Sequence, residues 1–179
     1  MKPKGKALLF FVVLTVLALL GSSLADTDIK ENQPAAFEDL FEGFVYYANK
    51  QKTGLKSIKK KFAATLDSHE LGMEILKTLI EGPQLSDLGA IWPKDTKINS
   101  LFITDDGKAY IDLNLGQGMM ENMDTLSEFL AIYSMVNSLT VNIPSIKMVK
   151  ILIQGKDALT LAGHIDLEYF YKTNMLIVT

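Results

Sequence analysis

The sequence predicts an α+β fold: a two-layer sandwich in which two main helices pack on a mixed, mainly antiparallel sheet. Three observations lead there. Segments with the two-residue period of strands come in pairs. One segment of helical period follows each of the first two pairs, giving the order ββα-ββα-ββ. Each helical segment also opens on residues suited to capping orphan amides.

The chain opens on Lys2, Lys4 and Lys6, followed by an apolar run over residues 7–20 with only Thr15 polar. Ser23 and Ala25 are small residues at the spacing a signal peptidase reads. Residues 1–25 are therefore expected to be a signal peptide, or an N-terminal membrane anchor if uncleaved, with membrane contact through residues 7–25. Residues 26–40 are polar, include Pro34, and read as a linker.

Elements follow in order. Phe44, Tyr46 and Tyr47 suit a strand over residues 41–48, weakened by Gly43. Lys52-Thr53-Gly54 turns into a second strand over residues 55–64, where Ile58, Phe62 and Ala64 share a face, with Lys56 and Lys60 among them. Asp67 and Glu70 form a capping box for a helix with its stripe at Leu71, Ile75, Leu76, Leu79 and Ile80, stopped by Gly82-Pro83. After Trp92 and Pro93, strands over 98–104 and 108–113 flank Asp105-Asp106-Gly107, a hairpin turn that tolerates positive φ. Ala109, Ile111 and Leu113 point one way, Tyr110 and Asp112 the other. Thr125 and Glu128 suggest a second capping box, for a helix with a buried stripe at Phe129, Ile132, Tyr133, Val136 and Leu139. The apolar run at residues 148–153 suits a central strand, and Gln154-Gly155-Lys156 turns back toward a short strand at 159–161.

Composition excludes several chemistries. Without residues 1–25 the chain carries 15 lysines against 21 acidic residues, a net charge of −6. That argues against a nucleic-acid surface, which needs excess positive charge to displace counterions. There is no arginine, so bidentate recognition of phosphate or carboxylate is unavailable. There is no cysteine, which excludes thiol nucleophiles, thiolate metal sites and disulfides.

Candidate chemical groups are few. His164 with Asp166 could form a base–orienter pair of a wall-acting hydrolase, but the only other imidazole is His69, near a helix start. A turn-shaping role for His164 fits its neighbours better. Ser134 lies within a helix and lacks the glycine-flanked elbow of hydrolase nucleophiles. Asp105, Asp106 and Asp112 lack the alternating oxygen ligands of a calcium loop, and the turn accounts for them. No catalytic residue, metal or cofactor is expected. Lys56, Lys59, Lys60 and Lys61 are a candidate interaction surface for anionic lipid or wall polymer, or lysines that guard an exposed sheet edge. Met119, Met120 and Met123 read as packing filler or an adaptable contact surface.

Several separated motifs resemble the GerMN domain, named for a sporulation and spore-germination protein. They are Leu71-Gly72-Met73-Glu74-Ile75-Leu76-Lys77-Thr78-Leu79-Ile80-Glu81-Gly82-Pro83, then Ile91-Trp92-Pro93-Lys94-Asp95-Thr96-Lys97-Ile98, then Ala109-Tyr110-Ile111-Asp112-Leu113. The helix over 130–140 follows, and then Leu161, Ala162, Gly163, His164, Ile165 and Asp166, similar to that family's terminal signature. The resemblance implies one domain over residues 41–168, a C-terminal extension over 169–179, and a fold like that of ring-building modules of secretion machines. It implies a non-enzymatic interaction or assembly module outside the cytoplasm, in the periplasm or on the outer face of the cytoplasmic membrane. The partner would be an envelope protein or a second copy, with passive peptidoglycan or anionic-surface binding as the alternative. Unlike many such domains, this chain has one copy and no cysteine to carry a lipid.

Overall fold

The computed structural model describes residues 39–116 and 123–179. The expected signal or anchor, nearly all of the linker, and Met119 and Met120 lie outside the described residues. The described chain runs β1 (Leu40–Asn49), β2 (Leu55–Ala63), α1 (Ser68–Glu81), β3 (Leu88–Gly89), β4 (Lys97–Ile103), β5 (Lys108–Asn114), α2 (Thr125–Asn142) and β6 (Met148–Ile153). A 3-10 turn at Met175–Ile177 follows.

The fold is α+β and mainly antiparallel, with its strands divided between two three-stranded sheets, β2-β1-β3 and β4-β5-β6. Only β5 and β6 run parallel. A single continuous sheet was the simpler expectation, and α2 explains the division. Over Phe44–Tyr46, before β3 pairs at Ala48 and Asn49, the edge of β1 opposite β2 meets this helix instead of another strand: Asn142 Oδ1 accepts from Phe44 N at 2.8 Å and Asn142 Nδ2 donates to Phe44 O at 2.6 Å. Ser138 Oγ accepts from Tyr46 N at 2.9 Å. These side chains, one helical turn apart, occupy the groups a neighbouring strand would use.

Gly43 does not interrupt β1. A Cβ there would lie 2.6 Å from Asn142 Oδ1 and 2.9 Å from the Phe62 ring, so the missing side chain lets helix and strand approach. The α1 capping box is present as expected, with Asp67 Oδ1 accepting from His69 N and Glu70 N and Glu70 Oε2 accepting from Asp67 N. Gly82, at φ 85°, ends the helix. The β4–β5 hairpin forms about Gly107 at φ 87°, and Ala109, Ile111 and Leu113 point into the core.

Helix α2 departs from the expected single apolar stripe. Leu130, Ala131, Ile132, Ser134, Met135, Val136, Asn137, Ser138 and Leu139 are all buried, while Phe129 and Tyr133 are only half-buried. A helix covered on most sides sits at the centre of the molecule rather than on its surface. Its cap differs too: Asp124, not Thr125, holds the first turn by accepting from Ser127 N at 2.7 Å. The expected strand at 159–161 reduces to one bridge between Thr160 and Asp166. The amides of Leu161 and Ala162 are committed to α2 and cannot join a ladder.

The C-terminal residues cross the domain. Tyr171 exchanges main-chain bonds with Val149 of β6, Asn174 exchanges two bonds with the Asn137 side chain, and Thr179 N donates to Leu55 O of β2. The tail thus links the two sheets over α2.

Candidate functional site

The sequence-derived residues fall into two separate places. The first is the loop at 161–166, anchored by Glu128 from the first turns of α2. Glu128 has no exposed surface. Its Oε1 accepts from Leu161 N at 2.9 Å and Ala162 N at 2.7 Å, and its Oε2 accepts from His164 N at 2.9 Å. His164 Nδ1 lies 3.0 Å from the same Oε2 and donates to it, since a carboxylate can only accept. Four donors compensate for the desolvation of this buried anion. Glu128 thus belongs to the loop and not to a capping box with Thr125.

Asp166 turns away from His164: its Oδ1 accepts from Glu168 N at 2.7 Å, and its carbonyl accepts from the Tyr171 hydroxyl. Base and orienter are therefore not brought together. Ser134 donates to Ala131 O at 2.7 Å and accepts from Trp92 Nε1 at 3.0 Å, so its hydroxyl is spent on packing. Asp106 binds Lys108 and Thr104 across the turn, and these bonds hold its carboxyl below the usual range. Asp112 accepts from Gly155 N and Asn99 Nδ2 instead. Among the described residues no group of three or more acidic or imidazole side chains is placed to hold a metal ion. Nor is any helix there long and apolar enough to cross a membrane.

The second place is β2, an edge strand that pairs with β1. The bonds Asn49 N to Gly54 O and Ala64 N to Asp39 O bracket the hairpin. With the intervening register they direct the main-chain groups of Lys56, Ile58, Lys60 and Phe62 toward β1. Those of Leu55, Ser57, Lys59 and Lys61 therefore point outward. Leu55 O is taken by Thr179 N, so the stretch without a partner among the described residues begins at Ser57. Lys59 pairs with Glu42 at 2.7 Å and Lys56 with Asp87 at 3.2 Å, both on the surface. Lys60 and Lys61 make no ion pair among the described residues.

A cavity of about 260 Å³ lies beside this strand, between β1, β2 and the end of α1. Val45, Tyr47, Ile58, Thr78, Pro83 and Leu85 supply most of its wall, with Lys60 and Glu81 at polar positions. Tyr47 donates to Thr78 O at 2.8 Å, and burial, with Glu81 adding to it, pushes its hydroxyl up to about 12.

The sequence suggested a capping role for Glu128 and no long-range role for Asn137, Ser138 or Asn142. The available signal was polar residues recurring at helical spacing, 134, 138 and 142, inside an otherwise apolar segment.

The Germane family model, described as sporulation and spore germination, matches residues 44–159, and the chain belongs to that family. The match ends just before Leu161, so the Glu128-bound loop and the tail lie beyond the matched segment. A candidate lipoprotein from Clostridium perfringens is 28% identical, with TM-score 0.53, over 74% of this chain and 87% of that one. The first GerMN domain of the sporulation protein GerM from Bacillus subtilis is 20% identical, with TM-score 0.56, over 74% of this chain and 97% of that one. The tandem GerMN domains of the same protein are 19% identical, with TM-score 0.58, over 82% of this chain. This chain spans about half of that tandem structure, 51%. No curated protein matches the chain.

Proposed function

We propose that this domain is a non-enzymatic interaction module of the cell envelope, acting outside the cytoplasm and docking a partner along β2. One observation carries the reading. The buried polar side chains Glu128, Ser134, Asn137 and Ser138 are bonded to main chain, apart from Glu128's His164 and Ser134's Trp92 contacts, whereas the outward groups of Ser57, Lys59 and Lys61 have no partner among the described residues. Family membership and a lipoprotein-like relative support an envelope setting. An exposed strand edge is a template for pairing with another chain.

The test is site-specific cross-linking of the full chain in its native envelope, with solution scattering of the purified protein. A discrete assembly or adduct supports docking; a strict monomer with no envelope adduct removes it. The hydrolase alternative predicts that His164→Ala abolishes turnover of wall material while folding survives. A lowered melting temperature as the sole effect defeats that alternative.

A further inference from the structure

On the docking reading above, the chemistry of the docked segment can be specified. We propose that β2 accepts an extended acidic peptide whose residues alternate, carboxylates on one side and apolar residues on the other.

The alternation follows from the strand. Ser57, Lys59 and Lys61 present outward main-chain groups at every second residue, about 6.8 Å apart along an antiparallel ladder. Lys59 and Lys61 also project their side chains from one face, the face that carries Glu42 and Phe44 on β1. Ile58 and Lys60 project from the opposite face, the one that holds the cavity. A strand added beside β2 shares its pleat, so its residues meet lysines and cavity in turn.

The cavity side is mainly apolar: Val45, Tyr47, Ile58 and the 53% exposed Leu85 line it, with Lys60 and Glu81 as its charged members. Its volume of about 260 Å³ accommodates an aliphatic or aromatic side chain. The opposite side is cationic. Lys59 and Lys61 lie there, in a chain of negative net charge, whereas Lys56 and Lys60 belong to the cavity face. The Lys59–Glu42 pair is exposed, and such pairs contribute little and exchange readily.

Charge also disfavours a second copy pairing β2 to β2, because lysines would face lysines. The lysines that discourage self-pairing therefore select a segment bearing carboxylates.

The test is fluorescence anisotropy of the full chain with a labelled seven-residue peptide of alternating glutamate and leucine. Three comparisons accompany it: the same peptide N-methylated at alternate amides, the variant Lys59→Glu/Lys61→Glu, and the variant Leu85→Asp. Saturable binding is expected. N-methylation, which removes main-chain donors, should weaken it about tenfold or more, as should the double lysine variant. Leu85→Asp should weaken it several-fold. The three substituted side chains, Lys59, Lys61 and Leu85, are at the surface, so folding is expected to survive and is checked by circular dichroism.

Equal binding of the parent and N-methylated peptides overturns the proposal, because charge alone then suffices, as for an anionic polymer or lipid surface. Absence of saturable binding at millimolar peptide overturns it too. If the native-envelope cross-link forms at β2 while the peptide fails to bind, the acidic-alternating chemistry is wrong and the docking reading stands. If neither occurs, both fall.

Discussion

Glu128 shows most directly how single residues are used here. A carboxylate with no exposed surface survives because three amides and an imidazole donate to it. Removing the acceptor leaves those donors unpaired, whereas removing the imidazole leaves three bonds intact. Glu128→Ala should therefore destabilise the domain by about 3 kcal/mol or more, since each buried donor left unpaired costs about 1–3 kcal/mol. His164→Ala, at a side chain 40% exposed, should lose only about 1 kcal/mol. Urea unfolding of both variants checks the ordering, and equal losses would contradict it. Tyrosines set the alkaline limit. Burial first, and nearby negative groups second, push Tyr47 and Tyr171 up to about 12. An unfolded tyrosine titrates near 10. Their contribution is thus fully present below pH 10 and is lost as pH rises toward 12. Thermal melts of Tyr47→Phe/Tyr171→Phe should show a shallower decline over that window than the parent.

At the scale of elements, legibility followed local chemistry. The capping box of α1, its glycine stop and the Asp-Gly hairpin need only neighbouring residues, and each was readable from sequence. Helix α2 was readable as a helix but not in its role. Its apolar stripe is real, yet its polar residues point at β1, Trp92 and the 161–166 loop, partners far away in the chain. Thr125 and Glu128 have capping-box spacing, but long-range amides claimed Glu128 and left Asp124 to cap. Gly43 was likewise read as a strand weakness, because its reason, Asn142, lies 99 residues later. Gly43→Ala tests that contact. Asn142 is pinned by bonds to Phe44 N, Phe44 O and Ser138 O and cannot easily yield. The substitution should lower stability by about 1–3 kcal/mol, as overpacking does, and speed amide exchange at Phe44 and Tyr46. The α2 cap gives a pH-dependent counterpart. The Ser127 amide holds the Asp124 carboxyl below its usual range. Its stabilisation is therefore present above the unfolded carboxylate value and is lost as pH falls through the folded one. Asp124→Ala should unfold at lower urea than the parent at pH 7, and the two midpoints should converge in acid.

Across the whole molecule, α2 is the axis on which the rest is hung. It closes the edge of β1, holds the 161–166 loop through Glu128, and receives the tail through Asn137. The alternation of strands and helices in the sequence disclosed the α+β class. The split into two sheets depended on side chains replacing a strand, which no period reveals. The lysine cluster was equally visible, but only the register of β2 shows which of its neighbours have outward main-chain groups. Among the described residues the buried polar side chains other than Thr96 are hydrogen-bonded, while the lysine-rich outer edge of β2 from Ser57 to Lys61 takes no main-chain partner. We propose that function resides at that edge. A photo-reactive amino acid at position 61, compared with one at the exposed position 102 on β4, tests it in the native envelope. One adduct of fixed mass is expected at 61, abolished by Lys59→Pro, which removes an outward amide while sparing the ladder to β1. Equal adducts at 61 and 102, or an adduct unaffected by the proline, would contradict it.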